Sequence, residues 1–235
     1  TIPAGGYYLV QEAAGTGGVP GPTPDASGGI NMSATAGKVA LVSNGTLLAA
    51  YRRGIFPWYS PGQPVLWWSP DPREVLFPAE FRRSRSLDKA MRNRGVTVTF
   101  DGDFTAVVDA CAAPRDTAGG TWITPEMRAA YVALHALELA HSVEARRDGE
   151  LIGGLYGVAL GGIFFGESMF ARARDASKIA LAVLVENCAA RGIHLIDCQL
   201  ASAHLRSLGS RPVPRREFSA CLARFGTTGR PKHWT

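Results

Sequence analysis

No run of about 18 consecutive apolar residues occurs in this 235-residue chain, which argues against a membrane-spanning helix. The first residues also lack a basic region followed by a continuous apolar run, so no secretory signal is expected. There are only four cysteines (Cys111, Cys188, Cys198 and Cys221), widely spaced and without a C-x-x-C pair. Such thiols fit a reduced, cytoplasmic protein in which cysteine serves as a small packing residue. The five histidines (His135, His141, His194, His204 and His233) show no metal-ligand spacing, so no metal is expected. No internal repeat is visible.

What is present is enough length, 235 residues, for one large domain or two small ones, and an apolar content of 46% that suits a buried core. The net charge of +5 leans weakly toward a polyanionic partner. Residues 1–40 are rich in Gly, Ala, Pro, Ser and Thr and suggest a poorly ordered arm. Residues 41–82 suggest a small N-terminal domain, with a short helix from Thr46 to Arg53 stopped by Gly54. Proline-dense extended turns follow at 56–62 and 67–72.

Residues 83–235 suggest a larger domain with a regular pattern from 84 onward. Ser84 or Ser86 caps a helix to about Arg94, a strand covers 96–100, and Asp103 caps a helix through Ala112. Thr124-Pro125-Glu126 opens a helix expected to reach Leu139. Strands at 142–147, 150–159 and 163–170, joined by Gly-containing turns, form a meander. Asp175 or Ser177 then caps a helix ending near Gly192, followed by a strand at 194–199 and a helix at 201–208. Only the last crossover joins parallel strands through a helix, so the fold class is α+β (mixed α/β), with a mainly antiparallel sheet.

Two apolar runs each carry polar chemistry. Glu167 interrupts 163–170, and Asp197 and Gln199 interrupt 195–199. A charge in such a strand is expensive to bury without a partner. If both strands share a sheet, Glu167, Asp197 and Gln199 gather beside an apolar wall, the outline of a site for an apolar group next to a polar reaction centre. An ion pair of Glu167 with an arginine such as Arg172 is the plainer alternative. Asp197 and Gln199 alternate along one strand and are expected on the same side. Arg85, Lys89 and Arg92, spaced four and then three apart, share one helical face.

Longer motifs then add up: 51–58 (Tyr-Arg-Arg-Gly-Ile-Phe-Pro-Trp), 66–73 (Leu-Trp-Trp-Ser-Pro-Asp-Pro-Arg), 120–124 (Gly-Thr-Trp-Ile-Thr), 165–170, 176–178 and 195–199. From about Thr46 to the C-terminus the chain resembles the leucyl/phenylalanyl-tRNA–protein transferase family. The resemblance implies an acetyltransferase-like (GNAT) C-terminal domain. It also implies transfer of Leu or Phe from aminoacyl-tRNA to the N-terminal Arg or Lys of an acceptor protein, marking it for degradation. The sequence does not rank Leu, Phe and Met as donors. Two departures stand out: Val42-Ser43-Asn44-Gly45 replaces a usual Gly-Gly-Asp-Leu, and Ser202 stands where Asn is common.

The resemblance further implies that Gln199 accepts a hydrogen from the attacking amine while Asp197 orients or polarises it. Because an amide oxygen is a poor proton acceptor, Gln199 is expected to orient, and the proton to end on the ribose leaving oxygen. Glu167 is expected to hold an ammonium or a ribose hydroxyl. Leu155, Phe164, Leu181, Leu184 and Ile196 correspond to the family's amino-acid pocket. Trp58 and Trp122 are candidates to stack on the terminal adenosine, whereas Trp67 and Trp68 are expected as interdomain core. With a tRNA donor implied, Arg85, Lys89 and Arg92 are expected on acceptor-stem phosphates. No cofactor is needed, because ester-to-amide exchange runs downhill, and a monomer is expected. The competing expectations are an acyl-CoA-dependent N-acetyltransferase, whose glycine loop is missing at 170–178, and a non-catalytic RNA-binding module.

Overall fold

The protein is described from a computed structural model, which covers residues 10–12, 26–28, 44–59, 65–113, 121–226 and 234. Most of the expected 1–40 arm lies outside the described residues. Its described pieces, β1 (Val10–Glu12) and β2 (Ala26–Gly28), pair in parallel. After helix α1 (Asn44–Arg52), β3 (Phe56–Pro57) and β4 (Trp67–Trp68) form a small antiparallel ladder.

The body is one mixed sheet. Its strands are β5 (Arg73–Leu76), β6 (Thr97–Phe100), β7 (Ala140–Arg147), β8 (Glu150–Leu160), β9 (Ile163–Ala171), β10 (Leu195–Gln199) and β11 (Arg211–Val213). The order across the sheet is β11-β5-β10-β9-β8-β7-β6. Only β9 and β10 are parallel, joined by the helix Ala176–Arg191, as the crossover pattern requires. The fold class is therefore the expected α+β arrangement. The β7–β8 hairpin turns on Asp148-Gly149, both with positive φ (53° and 81°), the geometry of a two-residue type I′ loop.

The helices α2 (Arg85–Asn93), α3 (Phe104–Ala112) and α4 (Pro125–Ala136) start on side-chain caps. Ser84 Oγ accepts from Leu87 N–H, an Asp103 carboxylate oxygen from Ala106 N–H, and Thr124 Oγ1 from Met127 N–H. Helix α4 stops three residues before the expected Leu139, where Glu138 takes a left-handed φ of 57° and turns the chain into β7. Asp175 precedes α5 (Ala176–Arg191) but makes no cap bond; its carboxylate pairs with Arg94, Arg174 and Lys178. Helices α6 (Ala203–Ser207) and α7 (Arg215–Phe225) follow, and Ser202 Oγ caps α6.

Strand alternation splits the core in two. Leu155, Phe164 and Ile196 join α2 and α5 on one face, while Tyr156, Phe165 and Leu195 join α1, α3 and α4 on the other. Among the elements that the sequence did not anticipate are β5, β11 and α7. The β5 segment lies in the stretch expected as a small N-terminal domain, yet it is inserted between β10 and β11 in the main sheet. All four of its residues are buried, including two charges, so it has no alternation to read.

Gly157 marks a close approach. A Cβ there would meet the Phe165 carbonyl oxygen at 2.2 Å and the Phe164 ring at 2.6 Å. Gly157→Ala should lower stability by about 2–3 kcal/mol, read as a drop in the urea midpoint at constant slope. An unchanged midpoint would show that Phe164 moves freely.

Candidate active site

Strands β9 and β10 pair over only three positions, Leu195↔Ile163 to Asp197↔Phe165. Beyond them β9 continues along β8, while β10 turns to β5. A one-residue register shift falls between Asp197 and Gln199, and Gln199 adopts φ 57°. The alternation expected to place Asp197 and Gln199 on one side therefore ends at Asp197. Where the two strands part, two cavities open.

The first, about 140 Å³, is lined by Leu155, Phe164, Leu181, Leu184 and Ile196 together with Met169 and Leu205. All five residues expected at an amino-acid pocket thus share one cavity. Its polar edge holds Glu167, Asp197 and Gln199. The second, about 160 Å³, is lined by Phe56, Trp58, Trp122 and Leu200. Glu167, Cys198 and Gln199 border both cavities. Trp58 is 41% exposed, unusual for so large an apolar ring. It is backed by Trp68, whose Nε1 donates to the Trp58 carbonyl at 2.6 Å. Trp67 is buried in the core, whereas Trp68 is only half-buried against it. Trp122 stands edge-on to Tyr131.

Asp197 is completely buried and is held by Arg73, itself 1% exposed. Arg73 Nε and Nη2 donate to the two carboxylate oxygens at 2.8 and 2.7 Å, a bidentate pair. The Gln199 backbone N–H donates to the same carboxylate at 3.0 Å. The guanidinium carbon of Arg73 also lies 4.7 Å from the Phe56 ring and 4.8 Å from the Phe218 ring. Asp197 therefore anchors the strand tip that carries Gln199.

Glu167 makes no ion pair with Arg172, whose Nη1 donates instead to the Leu151 carbonyl. Its partners are two buried tyrosines. Tyr51 and Tyr131 each donate a hydroxyl to one Glu167 oxygen at 2.6 Å, and the two hydroxyls lie 3.0 Å apart. Burial raises the Glu167 carboxyl from 4.5 to about 7; the two tyrosine donors and Arg73 oppose this, and Asp197 adds to it. Burial, then the Glu167 charge, pushes both tyrosines well above 10, so they remain donors. With Glu167 ionised, two protons serve three oxygen–oxygen contacts; with it protonated, three protons serve all three. Cys198 lies at the same junction, but burial raises its thiol, leaving it neutral.

Sequence reasoning missed Arg73, Tyr51 and Tyr131 as site residues, although Tyr51 and Arg73 lie inside the motifs. Their signal was that a buried carboxylate demands a donor; the sequence did not say which one. Arg85, Lys89 and Arg92 lie exposed on α2, away from the cavity linings, with no ion pair among the described residues. No group of three or more His, Cys, Asp and Glu side chains among the described residues is placed to hold a metal ion. No helix among them is long and apolar enough to cross a membrane.

Two measurements test this geometry. Arg73→Leu leaves a buried carboxylate unpaired and should cost about 3–5 kcal/mol in chemical denaturation; a loss near zero would mean that Asp197 finds another donor. Glu167 binds more protons folded than unfolded between pH 4.5 and 7. Its contribution to stability is fully present below 4.5 and is lost as pH rises through 7, by up to roughly 3 kcal/mol, less where cavity water screens it. Wild type should thus lose more stability than Glu167→Gln across that window, and parallel pH curves would remove the raised carboxyl.

Comparison with known proteins covers most of these residues. The family described as "Leucyl/phenylalanyl-tRNA protein transferase" matches residues 75–223, and its N-terminal domain matches residues 42–71. A protein of Pseudomonas entomophila (strain L48), named leucyl/phenylalanyl-tRNA–protein transferase, is 61% identical over 178 residues, 76% of this chain and 79% of that one. Its namesake from Azoarcus sp. (strain BH72) is 59% identical over 185 residues, 79% of each chain. Among solved structures, a GCN5-related N-acetyltransferase from Kribbella flavida superposes with a TM-score of 0.39 at 16% identity, covering 60% of this chain and 54% of that one. The fold class rests on the sheet itself.

Proposed function

Because the chain belongs to the leucyl/phenylalanyl-tRNA protein transferase family, we propose that it moves Leu or Phe from aminoacyl-tRNA to the N-terminal Arg or Lys of an acceptor protein, marking that protein for degradation. The observation that carries this reading is the pair of cavities sharing one polar border. The apolar cavity takes the donor side chain. The tryptophan-lined cavity takes the terminal adenosine between Trp58 and Trp122, each stacking contact contributing about 1–3 kcal/mol. The ester carbonyl then lies at the border formed by Glu167, Cys198 and Gln199.

An α-ammonium has a pKa of about 7.7–8.0, so a neutral fraction exists near pH 7 and a strong base is unnecessary. Glu167 holds the incoming ammonium, which releases one proton to solvent; the neutral amine then attacks the ester carbonyl carbon. A C–N bond forms, the bond from carbonyl carbon to ribose oxygen breaks, and the proton passes to that oxygen directly or through water. Gln199 orients the amine, and Asp197 acts through Gln199 as a positioning residue. Positioning and stabilisation of the developing oxyanion supply the rate. The exposed Arg85, Lys89 and Arg92 face supports contact with acceptor-stem phosphates, which ignores base identity. A charged-tRNA donor places the reaction in the cytoplasm, and the enzyme acts as a monomer.

Radiolabelled Leu-tRNA and a peptide beginning with Arg test the reading. Label should reach the free peptide and not its N-acetylated form; label on both, or on neither, contradicts the proposal. Gln199→Ala should lower transfer by about 10²–10³-fold with tRNA binding intact. Undiminished transfer would remove Gln199 from the mechanism.

A further inference from the structure

Trp234 lies beyond the residues that the family match covers, yet it is only 5% exposed. Its ring stacks on His141 at 4.1 Å and 9°, and Phe100 meets it edge-on at 6.0 Å. Arg191 lies 5.1 Å from the ring centre and donates through Nη2 to the Trp234 carbonyl at 3.2 Å. His141 is itself held, its Nδ1–H donating to Asp101 at 2.7 Å. The third aromatic neighbour is Phe164, at 5.6 Å and 37°.

Phe164 lines the apolar cavity, and Trp234 does not. Trp234 therefore stands behind the cavity wall. The Phe164 ring lies so close to Gly157 that a Cβ there would meet it at 2.6 Å, so the backbone blocks retreat on that side. Trp234 packs against the same ring, 5.6 Å away. A wall ring packed against both cannot yield readily to a longer ligand, because close-packed interiors transmit displacement rather than absorb it.

We infer that Trp234 is a positioning residue that sets the depth of the apolar cavity by holding the Phe164 ring in place. If that cavity receives the donor side chain, as proposed above, Trp234 also sets the balance between short and long donors. Removing the Trp234 ring lets Phe164 swing into the vacated space and deepens the cavity.

Two readouts test this on the full chain. The first is the ratio of kcat/KM for Phe-tRNA to that for Leu-tRNA. In Trp234→Ala the ratio should rise about tenfold, the scale of discrimination that a methylene or two carries in an apolar pocket. Trp234→Phe, which keeps a ring against Phe164, should preserve the wild-type ratio. A loss of thermal stability with an unchanged ratio would make Trp234 merely structural and overturn the inference. If Trp234→Ala does not fold, Trp234→Leu, which keeps an apolar plug without the ring, carries the same expectation in smaller measure.

The second readout needs no transfer. An apolar cavity of about this size has room for benzene. Benzene and naphthalene binding, followed by the NMR shifts of Leu155 and Leu181 methyls, reads depth directly. Naphthalene should gain about tenfold in affinity in Trp234→Ala relative to benzene, and equal gains for both probes would overturn the inference. Wild-type protein that transfers neither amino acid would defeat the proposed function and leave the probe titration to decide the role of Trp234.

Discussion

Arg73 and Asp197 are both sealed from solvent and face each other between β5 and β10. A buried ion pair adds little net stability, because the loss of hydration offsets most of the attraction. Its effect here is on arrangement. Neither charge tolerates the interior alone, so β5 docks beside β10 in the register that brings them together. Phe56 and Phe218 then close over the guanidinium from β3 and α7, which draws remote parts of the chain to one point. The same carboxylate accepts the Gln199 backbone N–H, so the pair also holds the strand tip where the two cavities meet.

On the other side of that tip, Glu167 solves the same problem differently. Among the described residues no cation contacts it; two tyrosine hydroxyls do, and burial raises its carboxyl to about 7. One carboxylate at the junction is thus fixed by a guanidinium, while the other stays close to changing its proton near neutral pH. The two carboxylates thus differ in their partners: Asp197 anchors the strand tip, and Glu167 is the one proposed to meet the substrate.

Much of the fold was legible in the sequence. Ser84, Asp103 and Thr124 cap the helices expected of them because capping depends on a few adjacent residues. Asp148-Gly149 turns the β7–β8 hairpin for the same local reason. The family resemblance, rather than any local pattern, pointed to Leu155, Phe164, Leu181, Leu184 and Ile196, which the sheet and α5 bring around one cavity. Strand β5 was illegible because Arg73 and Glu74 look like solvated charges until Asp197 and Ser210 stand beside them. Gln199 was expected to follow strand alternation, but the register shift after Asp197 ends it, and bulges leave no dependable mark in sequence.

By itself, then, the sequence determined what short-range chemistry controls: where helices begin, where hairpins turn, which side chains are apolar, and that Glu167, Asp197 and Gln199 needed partners. Only the tertiary structure decided who those partners are. Arg73 lies 124 positions from Asp197, and Tyr51 lies 116 from Glu167. Contacts over such separations arise from sheet order and register. These emerge when every buried polar group is satisfied at once, a condition that no local pattern encodes.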